Sequence, residues 1–124
     1  MARPNTQDIG NRAEEDACAF LEIQGLTLIE RQYRCRYGEI DLIMQDTDDI
    51  VFVEVRCRRR IDYGTALESI TKSKINKIVK AATHFLQANK CLYKVNSRFD
   101  FIVIQPNAGK MQLEWIKNAF WVEN

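Results

Sequence analysis

A single histidine and the lack of any Cys-x-x-Cys pair leave this sequence without the ligands of an ordinary zinc site. Its four cysteines, Cys18, Cys35, Cys57 and Cys91, are scattered and read as free thiols in a reducing compartment, not as a disulfide framework. No apolar run approaches the roughly 18 residues of a membrane span, so no membrane partner is expected. The opening stretch from Met1 to Asp8 lacks the apolar core of a secretory signal, and the expected location is cytoplasmic. A dominant charge is lacking as well, since 18 Lys and Arg stand against 17 Asp and Glu. A total so near neutral says little about partners.

What is present is an ordinary globular composition, 46% hydrophobic and 28% charged over 124 residues. It supports one domain with one core across residues 1–124, without internal repeats or linkers. The balanced charge hides segregation. Acidic residues crowd Glu14-Glu15-Asp16 and the stretch from Asp46 to Asp49, while basic residues crowd 31–36, 56–60 and 72–80. Separated patches suit a site that holds a cation beside a polyanion, and they equally suit an ordinary surface.

Hydrophobic periodicity orders the elements. Asn5 is a candidate cap for a first helix, with Asp8 near the capping-box position. Ile9, Ala13, Ala17, Phe20 and Leu21 then repeat at helical spacing, and Gly25 is a natural terminator. Glu14 lies on the edge of that stripe with Ala17, Cys18 and Leu21, turned to the core boundary, whereas Glu15 and Asp16 face water. Leu26 to Tyr33, Glu39 to Gln45 and Ile50 to Cys57 read as three strands, the last of central type. Arg58 to Ala66 reads as a basic loop. Thr71 caps a second helix with an apolar stripe of Ile75, Ile78, Val79, Ala82, Phe85 and Leu86. Arg98 to Gln105 is a further buried strand, Pro106 to Gly109 a turn, and Met111 to Lys117 an edge strand before an aromatic tail, Phe120-Trp121. The fold class is therefore α/β, a mixed sheet flanked by helices in the order α-β-β-β-α-β.

The chemistry concentrates in Gly38-Glu39-Ile40-Asp41-Leu42-Ile43 and Val53-Glu54-Val55-Arg56. A tight turn over Asp46 to Asp49 pairs Gln45 with Ile50, and counting outward then sets Asp41 against Glu54 and Glu39 against Arg56. Opposed carboxylates on a strand pair repel unless a proton or a cation intervenes. Oxygen donors of this kind suit Mg2+ or Mn2+, and such an ion activates water and polarises a phosphodiester. Plainer readings stand beside this one: Asp41 as a satisfied polar residue at a strand end, and Glu54 as a partner for Arg56. His84 reads as a helix-boundary residue.

At these residues the chain resembles the YraN-like family, placed in the PD-(D/E)XK nuclease superfamily near archaeal Holliday junction resolvases. The likeness includes Gly10-x-x-Ala-Glu14, Gly38-Glu-Ile-Asp41-Leu-Ile, Val51-Phe-Val-Glu54-Val-Arg56, Thr71-x-x-Lys74, Arg98-Phe-Asp100 and Trp115-Ile-Lys-Asn-Ala-Phe120. The resemblance implies a restriction endonuclease-like core in which Asp41, Glu54 and the Val55 carbonyl ligate the metal. Glu14 would join them directly or through water. Arg56 falls where the superfamily carries its lysine. Arginine stays protonated, so it steadies phosphate charge and cannot act as a general base. Lys74 is the candidate for a displaced lysine. Arg58, Arg59, Arg60 and Tyr63 leave the end of the Glu54 strand and are assigned to phosphate contact. Of the helix lysines, which ordinarily serve solvation, Lys72 joins that nucleic-acid set. Glu39 is expected to position Arg56. The resulting expectation is a metal-dependent endonuclease for branched or otherwise structured DNA, with a homodimer implied by two-fold relatives. The alternative is a nucleic-acid-binding module that keeps the fold without cleavage.

Overall fold

The computed structural model describes residues 6–58, 70–92 and 94–120, with the backbone alone for residues 6–10. The expected cap at Asn5, the basic residues Arg59 and Arg60, Tyr63 and the tail residue Trp121 lie outside the described residues. Seven elements follow one another: α1 (Thr6–Ile23), β1 (Thr27–Cys35), β2 (Gly38–Asp46), β3 (Asp49–Cys57), α2 (Lys72–Ala88), β4 (Ser97–Asn107) and β5 (Lys110–Phe120). The strands form one mixed sheet in the order β1-β2-β3-β4-β5, antiparallel except for the parallel β3–β4 pair that α2 connects. The α-β-β-β-α-β core is thus present, with β5 added as an edge strand. No helix among the described residues is long and apolar enough to cross a membrane.

Each helix covers one face. On the α1 side, Ala13, Ala17 and Leu21 bury themselves against Leu42, Met44, Val51 and Val53. On the α2 side, Ile78, Ala81, Ala82 and Phe85 meet Ile43, Ile50 and Phe52. The two sets alternate along β2 and β3 as a pleated strand requires, and β3, third of five, is covered on both faces. Each fully buried large side chain of this kind contributes roughly 1.5–3 kcal/mol. Helix ends follow their local chemistry. Gly25, at φ 102, closes α1 with a bond from the Leu26 N–H to the Leu21 carbonyl. At the start of α2 the Thr71 hydroxyl accepts from the Lys74 N–H at 3.1 Å.

Two features depart from the sequence expectation. Pro106 and Asn107 belong to β4, paired with Met111 and Lys110, so the turn shrinks to Ala108-Gly109. Gly109 at φ 80 makes that tight reversal accessible. Phe120 is the last residue of β5 and not part of a tail. Its ring stacks on Phe99 at 4.9 Å, which draws the strand out beyond Lys117.

Beyond the helices, one buried polar cluster ties β4 and β5 together. Asp100, with no exposed surface, accepts from the Arg98 guanidinium at 3.1 Å, the Trp115 indole at 3.0 Å and the Asn118 N–H at 3.0 Å. Arg98 also reaches Asp46 at 2.9 Å, joining this cluster to the β2–β3 hairpin. The motifs Arg98-Phe-Asp100 and Trp115-Ile-Lys-Asn therefore have a structural reading: each supplies partners that make a buried carboxylate tolerable.

Candidate metal centre

The β2–β3 hairpin sets the site. Gln45 pairs with Ile50 as expected, and the ladder runs outward as far as Leu42 opposite Val53. One step further, regular pairing gives way to side-chain bonding. The Asp41 Oδ2 accepts from the Val55 N–H at 2.8 Å, and the Asp41 N–H hydrogen-bonds the Glu54 carboxylate in return. Ile40 and Ile43 both pack toward α2 although they lie three positions apart, so side-chain alternation breaks at Asp41. The β1–β2 ladder skips the same point: Arg31 pairs with Leu42 and Tyr33 with Ile40, while Gln32 and Asp41 are not partners. Asp41 thus sits where the sheet opens, close to groups from both helices.

Glu54 is 6% exposed, and its Oε1 is buried without a hydrogen-bond partner among the described residues. Its Oε2 lies 3.8 Å from the Lys74 ammonium in the first turn of α2. That turn carries no acidic residue, and the Lys74 charge favours the ionised carboxylate. Burial nevertheless dominates. It raises the Glu54 pKa to about 8, with further upward pressure from Asp41, against downward pulls from Lys74 and the Asp41 N–H. Burial likewise raises Asp41 to about 7, reinforced by Glu14 and Glu39 and opposed by the Val55 N–H and Lys74. Two neighbouring carboxyls near neutral pH retain protons that a hard cation would displace.

Glu14 reaches this place from α1. It is 9% exposed, accepts from the Gln32 amide at 2.9 Å, and its charge acts on Asp41. Glu15 and Asp16 face solvent as their helical phase requires. The close unit is the Asp41–Glu54 pair: among the described residues no three His, Cys, Asp or Glu side chains form a group tight enough to cage an ion. A pair of carboxylates nevertheless fits Mg2+ or Mn2+, which typically take one or two protein carboxylates and fill the other positions with water and phosphate oxygens. The orphaned Glu54 Oε1 is an acceptor of the kind such an ion would satisfy.

The remaining candidates divide. Arg56, two residues beyond Glu54, is half-buried and makes no ion pair among the described residues. Glu39 does not serve it. The ladder places Glu39 opposite Arg34, and the two side chains meet at 3.5 Å on the exposed side of the hairpin. Once β2 and β3 part at Asp41, the count that set Glu39 against Arg56 no longer applies. Arg58 continues the strand direction, its N–H donating to the Ile104 carbonyl at 2.8 Å. Lys72 opens α2 and is exposed. His84 bonds the Tyr33 hydroxyl, and Tyr33 packs edge-on against Phe85 at 5.3 Å, so both belong to the α2–β1 packing. One residue of the site, Gln32, carries no sequence signal of its own.

Residues 13–104 match the model of a family described as uncharacterised protein family UPF0102. A UPF0102 protein of Nitrosomonas eutropha (strain DSM 101675 / C91 / Nm57) is 49% identical over 116 residues, covering 94% of this chain and 96% of the relative. One from Nitrosococcus oceani (strain ATCC 19707 / BCRC 17464 / JCM 30415 / NCIMB 11848 / C-107) is 42% identical over 118 residues, covering 95% of each. Another, from Coxiella burnetii (strain RSA 493 / Nine Mile phase I), is 43% identical over 118 residues, covering 95% of this chain and 96% of its own. With likeness on this scale along nearly its whole length, the chain belongs to the UPF0102 family.

Proposed function

We propose that this protein is a metal-dependent endonuclease of the PD-(D/E)XK type, acting on DNA of branched or otherwise structured form. The observation that carries the reading is the Asp41–Glu54 pair at the opening of the central hairpin, Glu54 buried and Asp41 partly so, with Lys74 at 3.8 Å from Glu54. Asp41 and Glu54 would hold Mg2+ or Mn2+, with the Val55 carbonyl beside them and Glu14 acting through water. The bound ion would polarise a phosphodiester and lower the pKa of its water. The chain's own residues do the rest. Lys74 offers a positive charge next to Glu54, where the ammonium can hold a phosphate oxygen or the attacking water. Arg56 stays charged and stabilises developing negative charge without taking a proton. Arg58, with Arg59, Arg60, Tyr63 and Lys72, supplies backbone-phosphate contact that is insensitive to sequence.

The test is a nicking assay on branched and linear DNA with Mg2+ or Mn2+, comparing wild type with Asp41→Ala. Cleavage confined to the wild type supports the proposal, and identical behaviour of the two removes the catalytic claim. A second reading, a binding module without cleavage, rests on arginine at position 56 where the superfamily has lysine. Arg56→Lys separates the two. Cleavage gained by the variant points to a decayed site, and cleavage lost points to an enzyme adapted to arginine, with Lys74 supplying the amine.

A further inference from the structure

Gln32 lies on β1 directly across from the break in β2. Its backbone adopts φ 50, a left-handed conformation that side chains other than Gly, Asn and Asp rarely take. The neighbours Arg31 and Tyr33 keep their ladder partners, so this break, separate from the register shift between Leu28 and Glu30, falls on the one residue facing Asp41. Both N–H groups of its carboxamide are spent on α1: one donates to the Asn11 Oδ1 at 3.0 Å, the other to the Glu14 Oε2 at 2.9 Å. Glu14 is itself buried, and its charge bears on Asp41, so an unfavourable conformation on β1 is coupled to holding a further carboxylate near Asp41. A device that served only to fasten α1 to β1 would gain nothing from placing negative charge there. Strained conformations that persist beside functional groups commonly have this character.

We propose that Gln32 is a positioning residue for the cation site: it holds the Glu14 carboxylate beside Asp41 so that Glu14 can bind the ion's water shell. The proposal rests on reading Asp41 and Glu54 as the cation ligands. It assigns Gln32 the role that outer partners of metal ligands play elsewhere, whose loss typically weakens metal binding about 10–100-fold. Glu14 has no other hydrogen-bond donor among the described side chains, so nothing substitutes for the carboxamide.

The experiment is calorimetric titration of the full chain with Mn2+, for wild type, Gln32→Met and Gln32→Gly, with melting temperatures recorded for each. Methionine keeps the length and the backbone strain but donates nothing. Glycine removes the strain along with the side chain. Both variants are expected to lose about tenfold or more in Mn2+ affinity, and by similar factors, although glycine melts higher than methionine. Wild-type affinity in both variants overturns the proposal. So does a loss that follows the order of the melting temperatures, which is the signature of a purely structural role. A wild type that binds no Mn2+ overturns the reading of the Asp41–Glu54 pair itself, and the role of Gln32 with it.

Discussion

Replacing Asp41 by asparagine removes one of two neighbouring carboxyls and is expected to stabilise the cation-free protein at alkaline pH. The sign follows from the direction in which burial moves both groups. Asp41 and Glu54 hold their protons to about pH 7 and about pH 8 in the folded state, against ordinary values of 3.8 and 4.5. The folded protein therefore binds more protons than the unfolded chain throughout that window. The contribution is fully present below about pH 4 and falls away as pH rises through the folded values. Every tenfold difference in proton affinity between folded and unfolded chain corresponds to about 1.4 kcal/mol, so removing the Asp41 carboxyl should add on the order of 2–4 kcal/mol at pH 9. At pH 4, where Asp41 is already neutral, the isosteric amide should change little, because its oxygen can still accept from the Val55 N–H. Urea denaturation at pH 4, 7 and 9 without divalent ions checks this. Wild-type stability should decline between pH 5 and pH 8, and the decline should be shallower in the variant, since Glu54 also loses the repulsion of Asp41. Stability that instead rises over this range, or a variant less stable than wild type at pH 9, would refute the reasoning.

Other perturbations separate the site from its scaffold. Lys74→Met removes the cation at 3.8 Å from Glu54. It should raise the Glu54 pKa, move the onset of metal binding to higher pH, and lower cleavage about 100-fold if the ammonium meets the developing charge. Unchanged cleavage would restrict Lys74 to solvation. Asp100→Ala should cost roughly 3–5 kcal/mol by urea denaturation, because the Trp115 and Asn118 N–H groups lose their acceptor and Arg98 keeps only Asp46. A cost below about 1 kcal/mol would show that the cluster is not what joins β4 to β5.

Much of this was legible in the order of the residues, for identifiable reasons. The nearness of Asp41 and Glu54 was legible because a short turn between two well-patterned strands fixes the register from Gln45–Ile50 to Leu42–Val53, one step short of the pair. Glu14 followed from its place beside Ala17 and Leu21 on a helical stripe. Legibility failed where the backbone leaves its regular period. The change of face at Asp41 cut short the count that had set Glu39 against Arg56 and left Glu39 to Arg34. Gln32 was silent because a left-handed residue inside a strand carries no periodic signal, and glutamine is not a residue type that such conformations favour. The turn at Pro106 was placed too early because proline usually leaves a strand, yet here it sits where an edge partner tolerates it. The proximity of Lys74 to Glu54 needed three dimensions, since the chain between β3 and α2 separates them by 20 positions, 54 to 74.

The central claim is that Asp41 and Glu54 form a cation site whose protons leave when the ion enters. The direct measurement is the number of protons released per Mn2+ bound at pH 7, obtained from binding heats in two buffers of different ionisation enthalpy. The expected result is one ion per chain, release of about one proton or more, tighter binding as pH rises, and loss of binding in Asp41→Asn and in Glu54→Gln. Binding without proton release that survives both substitutions would contradict it.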